Sequence, residues 1–588
     1  MELSPLARAG RTVLGAATAC VLVTSLLVPA PSSAAPPSRT TVPAPATLAD
    51  YWAGTADWEM AAFYPKEAYE LLPGDGGFGA GTMIDVGPDG AWYWFYRTIV
   101  NPPGCSVFPS SGTVVRRSTD RGRTWGPVAR VVTPEPGTPW ACDATDGDAH
   151  WDGAQWFYLF QCRSDPAAPG PWGELWNICA ARNPSPDPTL GTWVPVSAEP
   201  VMGDYPGGYN PFVEICDQPA DDCSRLAGGP GRVGQPGTPS MFTVPSEPGW
   251  AFVDLHAVDP GGLQYQSIVK TRDFRTFVAT GTNLPGDAIF DRDDVAGWRE
   301  PVPGWHSRQI GGGGGAVVRS PSDGMYYNLV EASDGPGGCV LASAMDLGLL
   351  RASSPAATTW SQPTRPGREN PVFYSQQPDP SEEVYSLRCS PSYSGMLVDP
   401  GSGETYAWFY RRSSDRVQGV YLFKLAFNLL ANGDGWRCVE AAPWALADLS
   451  APASSFAIWR DGNWASDGGC YFALSRDVFQ DVAVAPRSLA AVDWGGHVAV
   501  RQSGTTPPMG FGSSPVTGRV ALTLDQYNSS GSLLATASVV VDSSDGAYRA
   551  LSARTAVHRA AVTLRLTVAP ATAGTAVLAD QLFVRPGR

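Results

Sequence analysis

Charge is scarce in this chain. Charged residues make up 16% of its 588 residues, well below the roughly 25% usual for soluble domains, so a long coiled coil, a charged tail and a surface helix bundle are disfavoured. Lysine is almost missing, with only Lys66, Lys270 and Lys424 against a large excess of arginine. No run of Lys or Arg exceeds two residues and the net charge is −15, which excludes nucleic acid as an obvious partner. Histidine is rare too, at 5 residues, so a multi-histidine metal centre is disfavoured. No G-x-S-x-G elbow, H-E-x-x-H pair or metal-spaced C-x-x-C occurs, and the Gly311–Gly315 run lacks the Lys-Ser/Thr of a phosphate loop. Beyond the N-terminus no apolar run approaches the ~18 residues needed to cross a bilayer.

What the chain has in quantity is 65 Gly, 55 Pro and 62 aromatics (21 Trp, 20 Tyr and 21 Phe). It is therefore rich in turns and well supplied with core. Arg8 and Arg11 precede an apolar stretch from Val13 to Val28, followed by Ser32, Ser33, Ala34 and Ala35, the pattern of a secretory signal over residues 1–34. The expectation is a secreted, extracellular, monomeric protein. Residues 35–49 read as a Pro/Ala/Thr-rich linker, with the fold starting near Asp50. Ten cysteines remain after Cys20 leaves with the signal, an even number that favours disulfides, and Cys216–Cys223 is the pairing expected first.

From Asp50 a four-part pattern recurs. Aromatic strands at Ala91–Arg97, Gln155–Arg163, Gly249–Ala257, Met325–Ala332 and Thr405–Arg412 each follow a Gly-rich short strand. Each precedes an apolar strand, at Gly112–Arg117, Trp176–Ala181, Gln264–Lys270, Val340–Met345 and Gly419–Leu425, and then a turn ending in an aromatic. A unit of four short strands repeated in this way predicts an all-β, five-bladed β-propeller over residues 50–445, with a sixth blade built partly from Tyr51–Leu72 left open. From residue 446 to 588 the aromatics thin out and strands alternate with period two, which predicts a β-sandwich of jelly-roll type.

Ser118–Trp125, STDRGRTW, matches the Asp-box S-x-D-x-G-x-T-W that resembles the blade hairpins of sialidases. Asp152–Phe160 with Ala181–Val196, and DGMYYNLVEA from Asp323 to Ala332, resemble the blades of five-bladed glycoside hydrolases related to family 43 arabinofuranosidases and xylosidases. That resemblance implies a propeller glycosidase. It departs at the chemistry, with no Arg-Asp-Pro opening the first blade and Gly237-Thr238-Pro239 where that family has Glu-Gly-Pro. QDVAV at Gln480–Val484 and ADQLFV at Ala579–Val584 resemble the frame of jelly-roll carbohydrate-binding modules.

Strand direction selects the site. In an antiparallel blade the start of the first strand and the end of the second meet at one rim of the central channel. Second-strand ends carry Arg97, Arg163, His256, Glu331 and Arg411, while first-strand starts add Asp143, Asp146 and Asp148 with His150, then Arg308 and Arg388. The expectation is a glycosidase acting on a polysaccharide or its side chains, with Glu331 as acid and Asp146 or Asp148 as base or nucleophile. Arg97, His150, Arg163, His256, Arg308, Arg388 and Arg411 are then the substrate contacts. A polysaccharide lyase using His256 or a tyrosine, and a sugar-binding propeller without catalysis, compete with that reading. No cofactor is expected, although D-x-x-D-x-D in DATDGD also suits a structural Ca²⁺.

Overall fold

The computed structural model describes residues 44–588 except 107–109, 168–169, 173–175, 204, 206–207, 211–234, 259–263, 281–314, 334–344, 358–359, 366–367, 374–391, 412–418, 432–443, 448–455, 460–470, 503–511, 544, 546, 573 and 588. The Cys216–Cys223 pair, Arg308 and Arg388 therefore lie outside the described residues.

Each of the five aromatic runs becomes the second strand of an antiparallel blade. Blade I comprises Gly77–Val86, Trp92–Ile99, Ser111–Ser118 and Ala129–Val132, and blade II Asp143–Trp151, Trp156–Arg163, Asn177–Asn183 and Val194–Pro195. Blade III comprises Gln235–Thr243, Ala251–Val258, Gln264–Thr271 and Phe277–Ala279. Blade IV has Ala316–Arg319, Tyr326–Ser333 and Met345–Ala352, with its outer edge extended by an Arg351–Ser361 bridge. Of the expected third strand Val340–Met345 only Met345 is described, and there the strand Met345–Ala352 opens. The five inner strands touch one another in cyclic order, which makes the array a closed ring.

Tyr51–Leu72 does not found a sixth blade. The strand Ala56–Pro65 pairs antiparallel with Gly419–Phe427 and is the outermost strand of blade V, beside Thr405–Arg411 and Ser392–Val398. The first strand of the ring thereby clasps the last. Its entry is fixed by a six-residue helix, Leu48–Ala53, capped reciprocally by Thr47 and Asp50. Ala46 and Leu48 are already buried between blades IV and V, so the folded core begins slightly ahead of Asp50.

The Asp-box sits on the hairpin between the third and fourth strands of blade I. Asp120 Oδ1 accepts from Ser118 Oγ and Thr124 N, both at 2.8 Å, and Gly122 takes φ +80°. Trp125 packs on Trp94 and Tyr64. Asp273 in blade III repeats the motif by accepting from Arg275 N and Thr276 N.

The C-terminal strands form two sheets facing each other, one containing Val478–Ala483, Thr563–Pro570, Gly518–Tyr527 and Leu533–Ser543, the other Tyr471–Leu474, Thr575–Pro586 and Ala491–Gln502. Their period-two burial, as in Gly518–Tyr527, follows the sequence alternation. Leu430 and Trp444 are buried in the sandwich core, so that core recruits residues ahead of 446. Propeller and sandwich belong to one compact unit, Pro45–Arg588. Asn428 joins them by donating to Leu582 O and accepting from Val584 N, each at 3.2 Å.

Two disulfides occur among the described residues, Cys105–Cys142 and Cys162–Cys179. Cys142 precedes Asp143 and Cys162 precedes Arg163, and Cys142 N donates to Arg163 O. Both links therefore pin the same end of blade II. Loop-closure entropy gives the 17-residue separation of Cys162 and Cys179 a value of about 3 kcal/mol. A Cys162→Ser, Cys179→Ser double variant is expected to lose that much in urea unfolding, and a loss below about 1 kcal/mol would show that the link constrains little.

Candidate active site at the propeller mouth

An undisturbed strand alternates its side chains between the two neighbouring blades and leaves few to point along the channel. The inner strands break that alternation. Pairing register shifts between Phe78 and Thr82 in blade I, Thr145 and Asp148 in blade II, Gly237 and Ser240 in blade III, and Ser392 and Gly395 in blade V. Three non-glycine residues in these bulges take left-handed backbone: Asp146 (φ +50°), Thr238 (φ +40°) and Tyr393 (φ +52°). Such conformations cost about 1–3 kcal/mol each and gather where side chains must be re-aimed. Here they lie at the end of the ring where inner strands start and second strands finish.

Asp146 is turned toward Arg97 of blade I. Arg97 Nη1 lies 3.4 Å from Asp146 Oδ2, with 21% of the Arg97 side chain and 6% of the Asp146 side chain exposed. Arg97 Nε also donates to Ser111 Oγ at 2.8 Å, and its guanidinium bonds the Tyr393 side chain. Burial raises the Asp146 carboxyl above the ordinary aspartate value while the Arg97 charge pulls it back.

Glu331, at the end of the second strand of blade IV, faces the bulge of blade V. Its Oε1 accepts from Ser394 N at 2.9 Å, and the Tyr393 amide also bonds the carboxyl. The side chain is buried, and desolvation pushes its pKa from 4.5 up to about 8 against those hydrogen bonds, with nearby Asp146 raising it further. Tyr393 thus links the two carboxyls, its side chain meeting the partner of Asp146 and its amide meeting Glu331.

Asp148, beyond the bulge, is buried. Its Oδ2 accepts from Met241 N of blade III at 2.5 Å and its Oδ1 from Ala149 N at 2.8 Å, while burial raises its pKa to about 7. Asp143, Asp146 and Asp148 have separate partners, since Asp143 accepts from both Arg163 Nε and Nη2. The oxygens proposed for a Ca²⁺ loop are therefore spread, and among the described residues no group of three or more His, Cys, Asp or Glu is placed to hold a metal. Arg163 is engaged by Asp143 and lies 4.4 Å over the Trp176 ring.

His150 does not join this rim. It stands near the far end of Asp143–Trp151, paired with Phe157 while Asp143 pairs with Arg163. Seven residues at ~3.3 Å each carry it about 20 Å from the start of the strand, where it packs against Phe274 of blade III. His256 does lie at the mouth end of its strand, beside Gly237, but is buried and its pKa falls to about 4 through desolvation. The Arg411 backbone closes the second strand of blade V opposite Gly419.

Sequence reasoning missed Tyr393, Ser394 and Asp254. Asp254 lies on the second strand of blade III, fully buried, its pKa pushed to about 8, accepting from Asn328 Nδ2 of blade IV at 3.3 Å. A carboxylate inside the apolar run AFVDLHA was its one visible signal. Tyr393 occupies in blade V the bulge position that Asp146 occupies in blade II, a correspondence visible only once both strands are in register.

No family model matches the chain, and no curated protein matches it. Among solved structures it is similar to an exo-β-1,3-galactanase from Phanerochaete chrysosporium with galactose, at 12% identity, covering 90% of this chain and 100% of that one, with a TM-score of 0.35. It is similar to an α-L-arabinofuranosidase from Podospora anserina in complex with cellotriose, at 13% identity, covering 64% of this chain and 99% of that one, with a TM-score of 0.37. It is also similar to a family 117 glycoside hydrolase of Zobellia galactanivorans, at 12% identity, covering 63% and 91%, with a TM-score of 0.36.

Proposed function

We propose that the chain is a secreted glycoside hydrolase acting on a neutral polysaccharide or its side chains. The observation that carries the reading is the meeting, at one mouth, of a buried carboxyl that stays protonated near neutrality, Glu331, with a carboxylate held by arginine, Asp146. Glu331 gives its proton to the glycosidic oxygen as the bond from that oxygen to the anomeric carbon breaks. Asp146 takes a proton from the water that attacks that carbon, and Arg97 keeps it ionised. Asp148, fixed by two backbone amides and raised by burial to about 7 with no cation beside it among the described residues, is a weaker choice for the base. The ion pairs Arg97–Asp146 and Arg163–Asp143 compensate these two arginines, which among the described residues of the rim suits an uncharged sugar better than a uronate. The apolar segment behind Arg11 and the disulfides support export.

The test is release of reducing sugar from a panel of neutral and uronate-containing cell-wall polysaccharides. Release from neutral members is expected, without an unsaturated product. Activity should fall as pH rises through about 8, where Glu331 loses its proton. On the acid side it should fall as Asp146 is protonated, at a pH above the usual aspartate value. An unsaturated product would establish a lyase in place of a hydrolase, and no release from any member would overturn the enzymatic reading.

A further inference from the structure

The cleft where blade V meets the sandwich is lined by Glu59 from the outer strand of that blade and by Gly496, Ser552, Gln581, Phe583 and Arg585 from the sandwich. It encloses about 290 Å³, the volume of about ten waters. It lies three strand spacings from the inner strand of its blade, about 14 Å, and shares no residue with the mouth.

Its floor is built by a bulge. Pairing between Ala491–Gln502 and Thr575–Pro586 shifts between Gly495 and His497, and Gln581 opposite takes left-handed backbone at φ +49°. A Cβ on Gly496 would lie 2.6 Å from Leu582 Cδ2 and 3.1 Å from Leu582 Cα, so a larger residue there would displace the Leu582 side chain. The wall is a planar fork: Arg585 Nη2 donates to both Glu59 oxygens, at 2.6 and 2.8 Å, with the guanidinium 4.3 Å over the Phe583 ring. Arg585 Nε is shut off from solvent and has no partner among the described residues. The pair stays open to solvent, with 38% of the Arg585 and 25% of the Glu59 side chain exposed.

A carboxylate with spare lone pairs beside a part-exposed guanidinium offers an acceptor and a donor side by side, which is what two neighbouring hydroxyls of a sugar require. The Gln581 amide and Ser552 hydroxyl add polar contacts, and the Phe583 ring adds an apolar edge. We propose that this cleft is a second sugar-binding site, taking one neutral sugar unit and holding a polysaccharide while the mouth acts on it. The choice of sugar as ligand rests on the glycosidase reading.

The test uses the full chain carrying Glu331→Gln, titrated with galactose, arabinose and xylose by saturation-transfer NMR. Saturable binding of at least one is expected, weakened at least tenfold by Glu59→Gln and by Ser552→Trp, and unchanged by Asp146→Asn. Ser552 is exposed, so the tryptophan fills the cleft without entering the core. Absence of binding by all three sugars, or binding that Asp146→Asn removes and Ser552→Trp leaves intact, would overturn the proposal. Sugar release by a Ser552→Trp chain with native Glu331 separates the two readings, because it persists if only the cleft proposal fails.

Discussion

Glu331→Gln abolishes most of the sugar release, by a factor of about 10²–10⁴, the usual contribution of a positioned acid. Glutamine keeps the shape and still accepts from Ser394 N, so the strand ends of blades IV and V stay in place, but it has no acidic proton to give to a leaving oxygen. A stability readout separates this role from a structural one. The folded pKa of Glu331, about 8, stands above its ordinary 4.5. Its contribution to stability is therefore complete below the ordinary value and is lost as pH rises through about 8. The glutamine chain, which cannot ionise, should hold its melting temperature above pH 8 better than the native chain does. A variant that is inactive and also less stable at every pH would make Glu331 a structural residue, and unchanged sugar release would remove it from catalysis.

Arg368→Ala is expected to cost about 3–5 kcal/mol, as breaking a buried ion pair from one side does. Arg368 is only 2% exposed. Its Nη1 lies 3.0 Å from Asp57 Oδ2, its Nε donates to Ala56 O at 2.9 Å, and its Nη2 donates to Asn428 O at 3.1 Å and Leu430 O at 2.8 Å. One guanidinium thus satisfies the first residue of the closing strand and the two carbonyls where the chain leaves blade V for the sandwich. Truncation leaves the Asp57 carboxylate and three carbonyls without that donor. Urea unfolding measures the loss. An Arg368→Met, Asp57→Leu pair should recover part of it, because the stranded carboxylate is then gone while the carbonyls remain without a donor. A single-variant loss below about 1 kcal/mol would place Arg368 among ordinary surface pairs.

Much of the ring was legible in the chain because it is built from local rules repeated in series. The run Trp92–Tyr96 announces a strand buried on both faces, and the Asp-box announces the hairpin that follows the next strand. Antiparallel direction alone placed Arg97 and Glu331 at one rim. The same rule misplaced His150, because the inner strand of blade II runs from Asp143 to Trp151 and not merely from Asp148, so its length carries the histidine to the opposite end. Tyr393 stayed hidden since nothing near it in sequence reports a bulge, and the Arg368 hub joins residues more than 300 positions apart.

The sequence by itself determined the β class, the repeated four-strand unit, the change of character near residue 446 and the set of ionisable groups at strand ends, all of which depend on periodicity and turn chemistry within a few residues. Tertiary structure decided what those groups are. Ring closure by Ala56–Pro65 set the blade number, and the bulges aimed Asp146 and Tyr393 while leaving Arg163 to its partner Asp143. Burial raises both carboxyls, and the arginine beside only one of them separates a protonated Glu331 from an ion-paired Asp146, because what surrounds a carboxyl in space, and not its neighbours in the chain, sets its charge.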